Sequence, residues 1–434
     1  MTGAAAGGVP LSLGQQALWF FQHMSPRSSA YHVPLAFRLT GPLRVDLLHA
    51  ALDTVVRRHE TLRTAFRQES DGEPYQVVLE PGAFDLPVHD LSTAAEAVEK
   101  TVADIVRTPF VLADGTPLRA AVLRTGPDEH VFVLVAHHIV SDGWSLRLMT
   151  DEISAAYRAL GRGAVPEAEL PTLDVQYTDY ALWQRDGLAM PEQEEALAYW
   201  ERALAGVPTL DLADGRSRPR RPTYAADRLL AEVDPGVAAA LHEHAKATGT
   251  SLFSLLAAAF TLAVHERTAR TDIAFGTMLA GRVEPELEPL VGYFVNTVVL
   301  RVDLSDAPSP HVLADRLGAA MLGAIDHEAP FGSVVERLNP PRRPGRNPIY
   351  QVTMQLRTGG SAPGVLELPG ITAHEIDVYQ GQHAFDLTLT FIDSTAGLTI
   401  SVEYSTEVFD RVWASDLAAQ LVRILQALPE GTHD

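Results

Sequence analysis

The sequence predicts an α/β protein built as two large lobes. Three observations lead there. Short β-branched apolar runs alternate with apolar positions at helical spacing. Hydrophobic residues make up 46% and charged residues 21% of the 434-residue chain, a balance that buries a sizeable core. A stretch rich in proline, glycine and charge, residues 161 to 175, interrupts the pattern and places a boundary near residue 175. Length alone suggests about three average domains, but large α/β architectures use more residues per unit and two lobes, 1–174 and 175–434, fit equally.

In the first lobe, Leu47, Leu48, Ala51, Leu52, Val55 and Val56 repeat as one face of a helix that runs into a strand through RRHETLRTAF. VFVLVA, residues 131 to 136, is continuously apolar and β-branched, as expected of a strand covered on both faces. After Gly143, Leu146, Met149, Ile153, Ala156 and Tyr157 return to helical spacing, so the chain reads strand, turn, helix. In the second lobe, a helical segment with tryptophan spans Asp179 to Ala205, and residues 206 to 223 form a second Pro- and Gly-rich stretch. Ser251 to His265 reads as a buried helix with Thr250 or Ser251 as N-cap. Alternation at Leu387, Leu389 and Phe391, and again at Leu398, Ile400, Val402 and Tyr404, predicts a hairpin turning at Ser394-Thr395-Ala396-Gly397. Leu417, Leu421, Ile424, Leu425 and Leu428 mark a final amphipathic helix.

The formal net charge of −21 argues against a nucleic-acid-binding surface and against attraction to anionic membranes. No cysteine is present, so a thiol nucleophile, a disulfide framework and a cysteine-ligated metal are excluded. The start lacks the basic and apolar regions of a signal peptide, and the apolar stretch Leu252 to Val264 is too short to span a bilayer, so a cytoplasmic protein is expected. G-x-S-x-G, Walker and G-x-G-x-x-G patterns are missing. His242 and His244 point apart on a helix and suit solvent better than a metal. Arg216, Arg218, Arg220 and Arg221 form a basic cluster that reads as a solvated linker, the competing reading being contact with an acidic carrier.

Chemistry concentrates at the end of the buried strand, in His137-His138-Ile139-Val140-Ser141-Asp142-Gly143. A histidine accepts a proton from a nucleophile near neutral pH, and a strand end aims it well. Because side chains alternate along a strand, one histidine faces a cavity while its neighbour packs inward.

HHIVSDG resembles the HHxxxDG motif of the condensation domains of nonribosomal peptide synthetases and their chloramphenicol acetyltransferase-like relatives. Further segments resemble condensation-domain motifs in the same order: LSLGQQALWFF (11–21), RHETLRTAF (58–66), YTDYALWQ (177–184), VGYFVNTVVLR (291–301), DHEAPFGSVVERL from Asp326 and GRNPIYQV from Gly345. Two departures stand out, DHEAPFG for a pattern nearer HQDxPFE, and Gly14 where alanine is usual.

The resemblance implies a V-shaped pair of acetyltransferase-like lobes with a tunnel at their junction. It implies that His138 is the histidine associated with catalysis, His137 its structural neighbour, and Asp142 a structural carboxylate paired with Arg346. Arg63 is a supporting residue on the same grounds, or an ordinary surface arginine; Asn347 positions backbone beside Arg346, or caps a turn. Gly143 permits close approach of an acceptor, or is a turn glycine. The implied reaction joins an acyl, aminoacyl or peptidyl donor, carried on the 4'-phosphopantetheine of a carrier protein, to an amine or hydroxyl on a small molecule or second carrier, with no cofactor or metal of the enzyme's own. His138 would orient the acceptor and take its proton, and the first N–H groups of the following helix would help stabilise the oxyanion. The opening motifs resemble the subtype taking an L-configured donor. Two alternatives remain: a silent recruitment module, opposed by intact His137, His138 and Asp142, and epimerisation, opposed by Trp144-Ser145 after the Asp-Gly pair. The limits of the chain suit either a stand-alone enzyme, whose acceptor would be a free small molecule, or an excised module.

Overall fold

A computed structural model describes all residues except 1–7, 71, 214–217, 220, 221, 342–345, 359–363 and 431–434. The chain forms two compact units. The first comprises residues 1–188 with two later returns, 280–295 and 361–380; the second comprises 189–279, 296–360 and 381–434. A single cut at 174/175 does not describe this, because both returning segments are held in the first unit by hydrogen bonds that no local sequence pattern announces.

In the first unit the strands are β1 (Val9–Pro10), β2 (His32–Thr40), β3 (Thr64–Arg67), β4 (Tyr75–Val78), β5 (Val88–Asp90), β6 (Leu118–Arg124) and β7 (Glu129–His137). Its main helices are α1 (Leu13–Met24), α2 (Val45–Arg58), α3 (Val98–Arg107), α4 (Gly143–Gly161) and α5 (Tyr177–Gly187). The returning strand β12 (Thr372–Glu375) completes a five-stranded sheet in the order β12-β2-β7-β6-β5, and β1-β4-β3 form a small sheet. β7 is central, antiparallel to β2 on one side and to β6 on the other. Every residue of Val131–Ala136 is buried, which is why the run shows no polar alternation. Leu48, Leu52 and Val55 of α2 and Met149, Ile153 and Ala156 of α4 share its core.

The second unit contains α6 (Pro191–Ala203), β8 (Ala226–Glu232), α7 (Pro235–Thr248), α8 (Leu252–Thr268), β9 (Asp272–Leu279) and β10 (Asn296–Asp303). It continues with α9 (Pro310–Asp326), α10 (Phe331–Leu338), β11 (Val352–Thr358), β13 (Leu387–Ser394), β14 (Gly397–Ser405) and α11 (Arg411–Ala427). Its six strands run β10-β9-β11-β13-β14-β8, with β11 parallel to both neighbours. The expected hairpin is present, with Ser394 opposite Gly397. Ser251 caps α8, its hydroxyl accepting the Ser254 N–H at 3.0 Å, and Leu255 to Val264 fill the core. The helical segment expected from Asp179 to Ala205 is two helices, because the chain turns at Leu188–Met190 and restarts with Pro191 at a first helical position.

No single described helix is long and apolar enough to cross a membrane.

Candidate active site

β7 ends at His137, and His138–Val140 form one tight turn before α4 begins at Gly143. His137 is fully buried. Its Nδ1 accepts the Ile139 N–H at 3.0 Å, so its hydrogen sits on Nε2 and is donated to Gln22 Oε1 at 3.3 Å. Burial first, then the nearby His32 and His138, hold its pKa well below the usual 6.5. The ring is a neutral structural pin.

His138 is only partly buried. Its backbone N–H is held by the Tyr31 carbonyl at 2.8 Å, and its Nδ1 lies 2.6 Å from the Ser141 carbonyl. A carbonyl only accepts, so Nδ1 carries the hydrogen and Nε2 presents a lone pair. Among the described residues no protein group hydrogen-bonds Nε2. Burial lowers the His138 pKa, opposed by the Ser141 carbonyl and the charge of Asp142. The net effect is a neutral imidazole at neutral pH, oriented from behind and able to take a proton in front. The rings of Tyr31 and Tyr293 flank it at centroid distances of 6.2 and 5.1 Å.

Asp142 is 1% exposed and caps α4, its Oδ1 accepting the Ser145 N–H at 2.8 Å. Its cationic partner is Arg282 at 3.2 Å, and the Phe294 N–H donates to Oδ2 at 3.1 Å. This corrects the expected pairing with Arg346. The Arg346 guanidinium binds Asp211 at 2.6 Å within the second unit, where Asp211 also meets Arg218, which in turn bridges to Asp386. Arg218 is therefore an ion-pairing residue rather than part of a solvated linker; Arg216, Arg220 and Arg221 lie outside the described residues. Asn347 caps a turn, its side chain accepting the Ile349 N–H at 3.3 Å and its carbonyl accepting Gln351 Nε2 at 2.7 Å.

Gly143 has an ordinary backbone angle, and a Cβ built there meets nothing within 4 Å. Nothing among the described residues demands glycine there. Arg63 ties its turn to the end of β4 through the Leu79 carbonyl and lies 3.6 Å from Glu60. The neighbouring Arg58 and His59 both bind the buried Glu152 of α4, at 2.9 and 2.8 Å, which gives the RHETLRTAF segment a structural use. His242 meets Asp393 at 3.1 Å.

Sequence reasoning missed Arg282. It donates to Asp142, Ser145 Oγ and the Leu290 carbonyl, and lies 3.9 Å above the Phe294 ring. One signal was present: it is the sole Lys or Arg from residue 271 to 300, just before Glu284, Glu286 and Glu288. Ser145 was also missed; its hydroxyl donates to the Gly292 carbonyl at 2.8 Å and accepts the Gly292 N–H at 3.0 Å.

A strand-end imidazole whose Nε2 meets no hydrogen-bond partner among the described residues, on a two-unit α/β frame, is an arrangement able to accept a proton. The condensation-domain family model matches residues 5–434, and the chain belongs to that family. It is 37% identical over 433 residues to a probable non-canonical nonribosomal peptide synthetase, CymA, of Salinispora arenicola, covering 97% of this chain and 6% of the relative. It is 38% identical to a dimodular nonribosomal peptide synthase of Bacillus subtilis, covering 96% of this chain and 18% of the relative. The chain thus spans a small part of these curated relatives. Among solved structures, the X-domain from teicoplanin biosynthesis aligns with a TM-score of 0.90 and 28% identity, over 100% of this chain and 97% of that one. The X-domain is also known in complex with OxyB, aligning there with a TM-score of 0.87. The first condensation domain of the calcium-dependent antibiotic synthetase, at 21% identity and a TM-score of 0.82, shares the fold. The chloramphenicol acetyltransferase-like fold implied by the resemblance is therefore shown.

Proposed function

We propose that this chain catalyses bond formation between a donor held as a thioester on a carrier protein's phosphopantetheine and an acceptor amine or hydroxyl. The observation that supports this best is the tautomer of His138, with Nδ1–H fixed on the Ser141 carbonyl and Nε2 left to the substrate. The acceptor's N–H or O–H donates to Nε2. Its nitrogen or oxygen attacks the thioester carbonyl, the imidazole receives the proton as the new bond forms, and collapse expels the carrier's thiolate, which recovers that proton. Asp142, neutralised by Arg282, fixes the start of α4 behind this step rather than exchanging protons. The enzyme needs no cofactor of its own in this scheme, and its partners are the donor carrier and either a free or carrier-bound acceptor. A cytoplasmic setting belongs to the same proposal.

The test loads a carrier with a panel of aminoacyl and acyl donors, supplies free and tethered acceptors, and reads products by mass spectrometry. His138→Ala should fold like the parent and lose about 10² to 10⁴ in rate. Unchanged turnover in that variant removes His138 from the mechanism.

The likeness to an X-domain favours one second reading, recruitment of a partner enzyme without chemistry. A parent protein that makes no bond with any donor, yet binds a loaded carrier together with a second enzyme, as the X-domain is found with OxyB, would move the assignment there. Chiral analysis of the recovered thioesters tests epimerisation in the same samples.

A further inference from the structure

Tyr293 stands edge-on to His138, at an interplanar angle of 86°. The backbone that carries it is held at each residue. The Gly292 N–H and carbonyl both bond Ser145 Oγ, the Tyr293 carbonyl accepts the Tyr177 hydroxyl at 2.6 Å, and the Phe294 N–H donates to Asp142. With the main chain so fixed, the place of the Tyr293 ring is set by its own torsions and by what it rests against.

It rests against Gly14. A Cβ built on Gly14 would fall 2.7 Å from Cε1 and 2.8 Å from Cδ1 of Tyr293, closer than carbon atoms can approach. Gly14 occupies the second position of α1, its backbone angle is not left-handed, and glycine weakens a helix. Backbone conformation therefore does not call for glycine here, whereas the tyrosine ring does. α1 is itself seated, with Ser12 Oγ 2.8 Å from the Tyr177 hydroxyl and Gln15 bonded to the Ile139 carbonyl at 3.3 Å, so it cannot withdraw to admit a methyl group.

We propose that Tyr293 is a positioning residue for His138, and that Gly14 is the space which lets its ring stand there. The inference rests on the condensation reading for its kinetic consequences, while the packing relation is independent of it. The ring forms one wall of the imidazole site. It keeps the ring of His138 in the orientation that places Nδ1–H on Ser141, and it keeps water from that face. The departure at Gly14 from the alanine of the resembling motif is then one half of a matched pair.

The experiment compares Gly14→Ala, Tyr293→Leu, Tyr293→Phe and the Gly14→Ala/Tyr293→Leu double variant. Gly14→Ala adds a better helix former to α1, and circular dichroism confirms folding. With a carrier-tethered donor, Gly14→Ala and Tyr293→Leu should each lower kcat about tenfold to a hundredfold with KM for the acceptor little changed. Tyr293→Phe, which keeps the ring, should retain most of kcat. The double variant should be no worse than Tyr293→Leu alone, since without the ring the added methyl has nothing to displace. A second readout needs no turnover: the Cε1–H resonance of His138 in ¹³C-histidine-labelled protein, assigned by its loss in His138→Ala. Its titration midpoint should rise toward 6.5 in Gly14→Ala, because a displaced ring admits water to an imidazole whose pKa burial depresses. An unshifted resonance and midpoint in Gly14→Ala, or rate losses that multiply in the double variant, overturn the proposal. A parent protein with no turnover on any substrate overturns the catalytic reading instead, and the resonance then decides the positioning relation alone.

Discussion

Replacing Arg282 by methionine should destabilise the first unit by about 3 kcal/mol. The side chains of Arg282 and Asp142 are 3% and 2% exposed, so removing the cation strands a carboxylate in the interior. Losing one member of such a pair commonly costs about 3 to 5 kcal/mol. The lower end applies here because Asp142 keeps two backbone donors, from Ser145 and Phe294, and because methionine refills part of the volume over the Phe294 ring. Arg282 is also an expensive group to bury: its Nε and Nη1 have no hydrogen-bond partner among the described residues, and burial lowers its pKa. Asp142→Asn/Arg282→Met, which removes both charges, should therefore be more stable than the sum of the single losses predicts, with a coupling of about 1 to 3 kcal/mol.

For a unit of this size, a loss of about 3 kcal/mol lowers Tm by about 6 to 12 °C. Circular dichroism melts and urea midpoints of the parent, both single variants and the double variant measure it directly. An Arg282→Met protein that melts within about 2 °C of the parent, or a double variant whose loss equals the sum of the singles, would refute the reasoning.

Other outcomes follow from neighbouring contacts. Gly292→Ala should cost about 1 to 3 kcal/mol or more by urea midpoint, because its Cβ would lie 2.0 Å from Cδ2 of Tyr177 in a segment fixed by Ser145. Glu152→Ala, which strands both Arg58 and His59, should cost about 3 kcal/mol or more by the same measurement, and a change under about 0.5 kcal/mol would show that network to be idle. Stability should fall in mild acid. Burial lowers the His32 pKa from 6.5 to about 4, so the native state refuses a proton that the unfolded chain takes. That contribution is fully present above 6.5 and declines by up to about 3 kcal/mol as pH falls toward 4, with His137 acting in the same direction. Melts across that range should show the decline, and His32→Asn, which keeps a donor for the Val106 carbonyl, should flatten it.

Local physics made much of this molecule legible. A short continuous β-branched run is what a strand covered on both faces requires, and β7 is one. The cap at Ser251 and the turn at Ser394 to Gly397 follow from hydroxyl and glycine chemistry within a few residues. The alternation of side chains separated His137 from His138, one fully buried and one partly buried. What stayed hidden was pairing at a distance. Asp142 required an opposite charge, but burial alone does not say which of many arginines supplies it; the structure chooses Arg282, about 140 positions away, and gives Arg346 to Asp211. The return of residues 280–295 and 361–380 to the first unit was hidden for the same reason, since β12 is only four residues long and its register on β2 is a tertiary choice.

The division of VGYFVNTVVLR sharpens the point. Read as a string it is one motif, yet Asn296 to Asp303 enters the sheet of the second unit as β10, while Gly292, Tyr293 and Phe294 serve the histidine turn of the first. Gly292 clamps Ser145, Tyr293 walls His138, and Phe294 gives its N–H to Asp142 and its ring face to Arg282. HHxxxDG thus supplies the imidazole that the proposed reaction would use, while residues far downstream fix the helix start and the ring beside it. In this chain both halves are present, and that coincidence, more than the motif, is why His138 is the residue to change first.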